Sequence, residues 1–152
     1  MPGQVALPDQ IIDYTYGRDH SIYGDDSATL VNIEFTEPLH AGLRQELLAA
    51  ASAAGVICLD GGVYAVTQGP RLESAAEVDR LERDGADLVG MTLMPEAALA
   101  MELGMRYACI SLVVNYAAGR SNKGIHEDVE ANTLSARPQS MKILQQLFTT
   151  AA

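Results

Sequence analysis

Two polar residues close apolar runs in this chain, and both are placed for anion or ring chemistry. Thr92 follows Leu88-Val89-Gly90-Met91 and precedes a helix-prone stretch that starts at Pro95. A hydroxyl and backbone N–H groups just ahead of a helix suit an anion. Asn115 closes the almost wholly apolar run from Tyr107 to Val114. If the two runs are parallel strands, both residues emerge at one carboxyl edge, where open α/β proteins hold ligands. The pattern predicts a cleft for something phosphate-like. Plainer readings stand beside it: Thr92 as a helix cap, Asn115 as a turn former, Met91 as core filler. Glu73 and Arg71 read equally well as surface charges, His126 as an exposed residue near a helix start, and His20 and His40 as structural or solvent-exposed.

The elements that must carry these residues follow from periodicity and punctuation. Gln4 to Thr15 reads as short extended pieces broken by Pro8, and Tyr16 to Pro38 as a long polar loop. Leu39 to Ala54 has helical spacing with Gly55 as its stop. Val56–Leu59 and Val63–Thr67 look like strands around the turn Asp60-Gly61-Gly62. Ser74-Ala75-Ala76-Glu77 is a capping-box sequence opening a helix to about Asp84. Then come a strand at Leu88–Met91, a helix at Pro95–Leu103 closed by Gly104, and a strand at Tyr107–Val114. Pro95 suits the first helical turn. After the loop Gly119–Gly124, helix resumes near His126 and is interrupted at Pro138. Such alternation predicts an α/β fold, a mixed and mostly parallel sheet flanked by helices, as one domain over 1–152.

The composition narrows the function classes. With 152 residues, 48% hydrophobic and 20% charged, the chain can bury an ordinary core. A net charge of −10 and the lack of a Lys/Arg cluster speak against nucleic acid. No apolar run approaches the roughly 18 residues of a membrane span, and the N-terminus lacks a signal-peptide pattern. Cys58 and Cys109 form no C-x-x-C pair, so reduced buried thiols are expected rather than a metal site. The expected compartment is the cytoplasm.

Four segments, in order, carry a resemblance. Thr67-Gln68-Gly69-Pro70-Arg71-Leu72-Glu73 with Ala76-Glu77 resembles a G-P-x-F-E-T-x-A-E signature. Val89-Gly90-Met91-Thr92 with Met94-Pro95-Glu96-Ala97 resembles V-G-M-S/T-x-x-P-E. Val113 to Gly119 resembles a base-recognition block, and Leu7 to Asp13 the element ahead of a long loop. Together they resemble the trimeric purine nucleoside phosphorylases, including the methylthioadenosine and methylthioinosine enzymes, with Leu72 in place of a stacking Phe resembling the methylthioinosine branch. The family ordinarily carries a further N-terminal stretch with a Gly-rich phosphate loop. The resemblance therefore implies a C-terminal part of that fold, incomplete at the N-terminus.

The resemblance also implies roles. Asn115 would be the catalytic group holding the purine at O6 and N7, with Tyr116 and Ala117 beside it. Leu72 would pack on the base, Met91 would lie under the ribose, and Thr92 would bind phosphate. Glu73 would face the N1 edge, and His126 would read the 5′ substituent, so Glu73, Asn115 and His126 would set specificity. Asp stands at the Asn115 position in the methylthioadenosine branch. The implied reaction is phosphorolysis of a 6-oxopurine nucleoside, S-methyl-5′-thioinosine first and inosine or guanosine second, in purine salvage. No metal or organic cofactor is implied, only inorganic phosphate as co-substrate. The family is a homotrimer in which the Asn32–Pro38 stretch would reach a neighbouring site. The other reading is an inactive, truncated purine-binding or assembly module.

Overall fold

Pro8 splits the first extended stretch into β1 (Gln4–Leu7) and β2 (Gln10–Asp13), because it brings no N–H to a ladder. Gly61 and Gly62 split the partner stretch into β3 (Cys58–Asp60) and β4 (Val63–Val66). Their φ values of 86° and 110° suit glycine alone without strain. The two breaks lie side by side: Gly61 N donates to Leu7 O at 3.0 Å, Asp9 N to Gly62 O at 3.1 Å, and Gly62 N to Asp9 Oδ1 at 2.8 Å. Val5 pairs with Cys58 and Gln10 with Val63, so the register offset is the same on both sides. One parallel ribbon is thus kinked into two sheets. The expected turn at Asp60-Gly61-Gly62 is a kink through which the chain runs on.

The structure, a computed structural model, describes residues 1–24, 31–127 and 129–150. Residues 25–30 of the Tyr16–Pro38 loop, Asp128 and residues 151–152 lie outside the described residues. The first sheet has the order β3-β1-β6, with β6 (Ser111–Val113) antiparallel to β1. The second has the order β2-β4-β5, with β5 (Leu88–Gly90) parallel to β4. The mixed, mostly parallel α/β arrangement agrees with the sequence reading, but as two three-stranded sheets.

Helix α1 (Ala41–Ala53) starts where His40 Nδ1 accepts Leu43 N at 3.0 Å and stops ahead of Gly55. Helix α2 (Ala75–Arg83) opens on a complete capping box, with Ser74 and Glu77 each bonding the other's backbone N–H. Helix α3 (Glu96–Glu102) has Pro95 at its N-cap, just outside the turn expected to contain it. Helix α4 (Val129–Thr150) begins after the His126 turn and runs through Pro138 unbroken. Pro138 is exposed, and α4 packs along α1, β1 and β6. That packing outweighs the lost bond at one proline.

Two cores result. Val5, Leu7, Leu47, Ala50, Ala51 and Ile143 fill the first sheet's core against α1 and α4. Tyr64, Val66, Leu93, Met94, Ala97 and Ala98 fill the second sheet's core, with Ile33 and Phe35 from the long loop packed on it. Each fully buried Leu or Ile contributes roughly 1.5–3 kcal/mol. The long run from Tyr107 explains a further correction. Only Ser111–Val113 is strand, because only these residues pair with β1; Tyr107 to Ile110 lie outside the ladder, with Tyr107 and Cys109 packed into one core and Ala108 and Ile110 into the other. The run is apolar because it is shared between cores, not because it is laddered. Among the described residues, no helix is long and apolar enough to cross a membrane, and no group of three or more His, Cys, Asp or Glu gathers as a metal site.

Candidate active site

Strand β5 ends on Gly90, and the chain turns at once through Met91-Thr92-Leu93-Met94. Leu93 takes a φ of 76°, a left-handed backbone costing roughly 1–2 kcal/mol for a residue with a Cβ. Its side chain is 2% exposed in the second core, which offsets that cost. The turn therefore leaves Thr92 exposed at its apex. Tyr64, from β4, reaches under it: the phenol oxygen is 3.1 Å from Thr92 Oγ1. A Cβ on Gly90 would come within 1.9 Å of that oxygen, so glycine is required where the ring crosses β5. Burial pushes the Tyr64 phenol above its ordinary pKa, keeping it neutral. Met91 lies against Gly69, whose Cβ would stand 2.5 Å from the Met91 sulfur.

The loop after β4 is tied to the same strand end. Thr67 N donates to Gly90 O at 2.8 Å, and Thr67 Oγ1 donates to Glu73 Oε1 at 2.6 Å. Arg71 bridges the loop to α2 with two bonds to Glu77, of 2.8 and 2.7 Å. Glu77 also accepts Ser74 N at 2.8 Å. The Arg71 and Ser74 bonds hold its carboxyl down to a pKa of about 2. Arg71 and Glu73, readable in sequence as loose surface charges, are both fixed.

Asn115 lies two residues beyond β6, where Asn132 of α4 holds the neighbouring Val114 O at 2.8 Å. Its Nδ2 donates to Tyr116 O at 2.9 Å, leaving Oδ1 as its free acceptor. Thr92, Asn115, Tyr116 and Ala117 line one groove of about 520 Å³, together with Tyr64 and Arg120. They meet by a different route from the expected one, since β5 and β6 belong to different sheets and β6 runs antiparallel to β1. Arg120 is bound to Asp79 and Glu82 at 2.9 and 2.5 Å, which largely neutralises it.

Glu73 lines a second hollow of about 280 Å³ with Thr67, Tyr16 and Arg71. Leu72 is 39% exposed and Met91 half-buried, and neither lines these two spaces. His126 is exposed in the turn before α4, one residue past Ile125, which lines a hollow with Asn115 and Tyr116. The structure thus gathers Thr92, Asn115, Tyr116 and Ala117, sets Glu73 nearby, and leaves Leu72, Met91 and His126 outside the groove. Sequence reading missed Tyr64, Thr67 and Arg18. Tyr64 had a signal, a polar-tipped ring in an otherwise apolar strand, which needs a partner when buried.

Over residues 1–149 the chain matches the family model of the phosphorylase superfamily. It is 55% identical over 119 residues to a probable S-methyl-5′-thioinosine phosphorylase of Pseudomonas syringae pv. tomato, covering 78% of this chain and 48% of the relative. A probable 6-oxopurine nucleoside phosphorylase of Dictyoglomus turgidum is 40% identical over 149 residues, 97% of this chain and 55% of that one. The methylthioadenosine phosphorylase of Schistosoma mansoni, solved with adenine, superposes with a TM-score of 0.88 at 26% identity, over 99% of this chain and 60% of that structure. The chain spans about half the length of the curated relatives it matches.

Proposed function

Because this chain belongs to the phosphorylase superfamily, we propose that it forms the purine-holding part of an enzyme cleaving a 6-oxopurine nucleoside, S-methyl-5′-thioinosine, with inorganic phosphate. The observation that carries the reading is the single groove lined by both Thr92 and Asn115. Phosphate attacks C1′, the glycosidic bond breaks, and the purine leaves with its electron pair. The sugar passes through an oxocarbenium-like state between the anion and the departing base. Thr92 serves the anion with its hydroxyl and the adjacent N–H groups. Asn115 serves the base: its amide NH₂ donates to O6 and its Oδ1 accepts N7–H as the departing purine takes a proton from solvent at that nitrogen. Glu73 accepts N1–H, and Tyr116 and Ala117 pack around the ring; Leu72 against the ring, Met91 under the ribose and His126 at the 5′ group rest on the family likeness alone, since these three lie outside the groove. This reading includes cytoplasmic location, a homotrimer and no metal or organic cofactor.

Asn115 decides the purine class. Adenine would set an amino group against an amide N–H, and an unpaired buried polar group costs roughly 1–3 kcal/mol, about one to two orders of magnitude. The test is kcat/KM with phosphate for S-methyl-5′-thioinosine, inosine and S-methyl-5′-thioadenosine, in a form extended to the length of the relatives. Preference for the 6-oxopurines is expected, and Asn115→Asp should move it toward the 6-amino substrate. Equal or better use of the adenosine type by the unsubstituted protein defeats the assignment. A second reading, an inosine or guanosine phosphorylase, is supported by the relative that matches 97% of this chain. The methylthioinosine-to-inosine ratio before and after His126→Met separates the two: an unchanged ratio removes His126 from the 5′ site.

A further inference from the structure

Arg18 lies in the loop after β2, far in sequence from the turn that presents Thr92 to the groove, yet its guanidinium meets both that turn and the Thr67–Gln68 segment, which lines the second hollow. Nη1 donates to Met91 O at 3.2 Å and also to Met94 O. Those two carbonyls bracket Thr92 and Leu93, the residue held at a φ of 76°. Nη2 donates to Gln68 O at 3.1 Å and Thr67 O at 3.4 Å, and Nε to Gln68 Oε1 at 3.1 Å. One planar fork therefore joins the ends of β4 and β5. Its two attachments on the far side flank the only left-handed non-glycine backbone among the described residues.

This arrangement has two consequences. A left-handed leucine turn is a conformation the backbone leaves unless its surroundings over-determine it. Burial of Leu93 secures one side of the turn, and Arg18 secures the carbonyls on the other. The carbonyl oxygens of Thr67, Gln68, Met91 and Met94 also carry partial negative charge, which opposes an anion at Thr92. The guanidinium engages all four oxygens and brings a full positive charge to an acidic chain. Arg18 is not placed to touch the substrate itself, because its donors are already directed at these oxygens.

We infer that Arg18 is a positioning residue, which holds the Met91–Met94 turn and the Thr67–Gln68 strand end in the geometry that lets Thr92 bind phosphate. The inference rests on the phosphate role proposed for Thr92, but the clamp itself is measurable without it. Lysine would keep the charge while losing the planar fork, so it separates geometry from electrostatics.

The experiment uses the 152-residue chain with Arg18→Ala and Arg18→Lys. Amide hydrogen exchange is followed at Thr67, which donates to Gly90 O, and at Ala97, which donates to Leu93 O. Ala54 and Val56, bonded within and after α1, are the controls. Arg18→Ala should speed exchange at Thr67 and Ala97 about tenfold or more while the controls stay within about twofold. Arg18→Lys should fall between. Titration with inorganic phosphate, read at the Thr92 amide, should show about tenfold weaker binding in both variants. Unchanged exchange at Thr67 and Ala97 overturns the inference, as does phosphate binding by the alanine variant equal to the parent's. Full phosphate binding by the lysine variant also overturns it, because charge alone would then suffice. A uniform loss of protection that includes the controls assigns Arg18 to the general scaffold and overturns it too. If the parent chain binds no phosphate, the titration is made on the form extended to the length of the relatives; no binding there ends the role of Thr92, while the exchange data still decide the clamp.

Discussion

The two sheets end on an arginine apiece, and the two arginines are used differently. Arg44, from α1, is buried in the first sheet's core and donates to Pro8 O at 2.8 Å and Leu7 O at 2.9 Å, with Asp60 at 2.7 Å. Arg18 is half-buried at the second sheet and donates to amide and carbonyl oxygens of two site loops. Arg44 comes from a helix, secures the kink between β1 and β2, and has a carboxylate partner. Arg18 comes from a loop and secures a strained turn that exposes a hydroxyl. The same side chain thus locks a scaffold in one place and a working edge in the other. The difference lies in what each carbonyl set supports: the kink of the scaffold at Arg44, and at Arg18 the turn that presents Thr92 to the groove.

Removing Arg44 is the most severe way to test that contrast. Arg44→Met should cost about 3 kcal/mol, mainly from the buried Pro8 carbonyl left without its donor. The Asp60 pair adds little, since that carboxylate is 59% exposed. Leu7 O keeps a donor in Gly61 N, which limits the loss. Urea unfolding should show a lower midpoint with an unchanged slope. A loss below about 1 kcal/mol would put Arg44 on the footing of surface pairs such as Arg106–Glu46 and erase the contrast.

The sequence made much of the scaffold legible because its signals are local. The Ser74–Glu77 box, the Gly55 stop of α1 and the Leu88 strand each depend on a few neighbouring residues. What it hid depends on distant partners. The apolar run from Tyr107 looked like a long strand, since sharing between two cores and pairing in a ladder leave the same composition. Pro138 looked like a break because only the packing of α4 on α1, β1 and β6 shows that the helix can carry it. Family motifs marked Thr92 and Asn115, and the structure sets both on one groove. Arg18 was invisible as a site residue, and the polar tip of Tyr64 signalled only that some partner was needed. Their partners lie 28 to 76 positions away, a range at which residue type alone does not say which partner it is.

A milder change acts on the working edge alone. Tyr64→Phe removes the hydroxyl 3.1 Å from Thr92 Oγ1 and keeps the ring over Gly90. Because Thr92 is exposed and can turn to water, the cost should be small, about 1 kcal/mol. Phosphate affinity should nevertheless fall several-fold, as the Thr92 hydroxyl loses the partner that fixes its rotamer. Parallel measurement of the urea midpoint and phosphate binding checks this. A stability loss as large as that of Arg44→Met, with unaltered phosphate binding, would make Tyr64 core filler and move the border between the two regions.

The smallest effect concerns acid, and it distinguishes burial from exposed ties. At the working edge the Gly69–Ser74 loop is fastened to α2 by Glu77, which accepts from Arg71 and Ser74 at the surface. Its carboxyl titrates at about 2 instead of the ordinary 4.5. A carboxylate held low in the folded state lends stability that is complete above pH 4.5 and is lost as pH falls toward 2. Acid should therefore loosen the loop and the first turn of α2 while the kink at Arg44 remains closed. Amide exchange at Val78, whose N–H donates to Ser74 O at 3.0 Å, should rise between pH 4.5 and 2 after correction for intrinsic rates. Exchange at Gly61, whose N–H donates to Leu7 O, should not. Glu77→Gln should remove most of that pH dependence, because glutamine has no charge to lose and no ion pair with Arg71. Val78 exchange with the same acid dependence in both proteins would show that Glu77 does not fasten the loop, and the working edge would then owe its order to Arg18 and the core beneath Leu93.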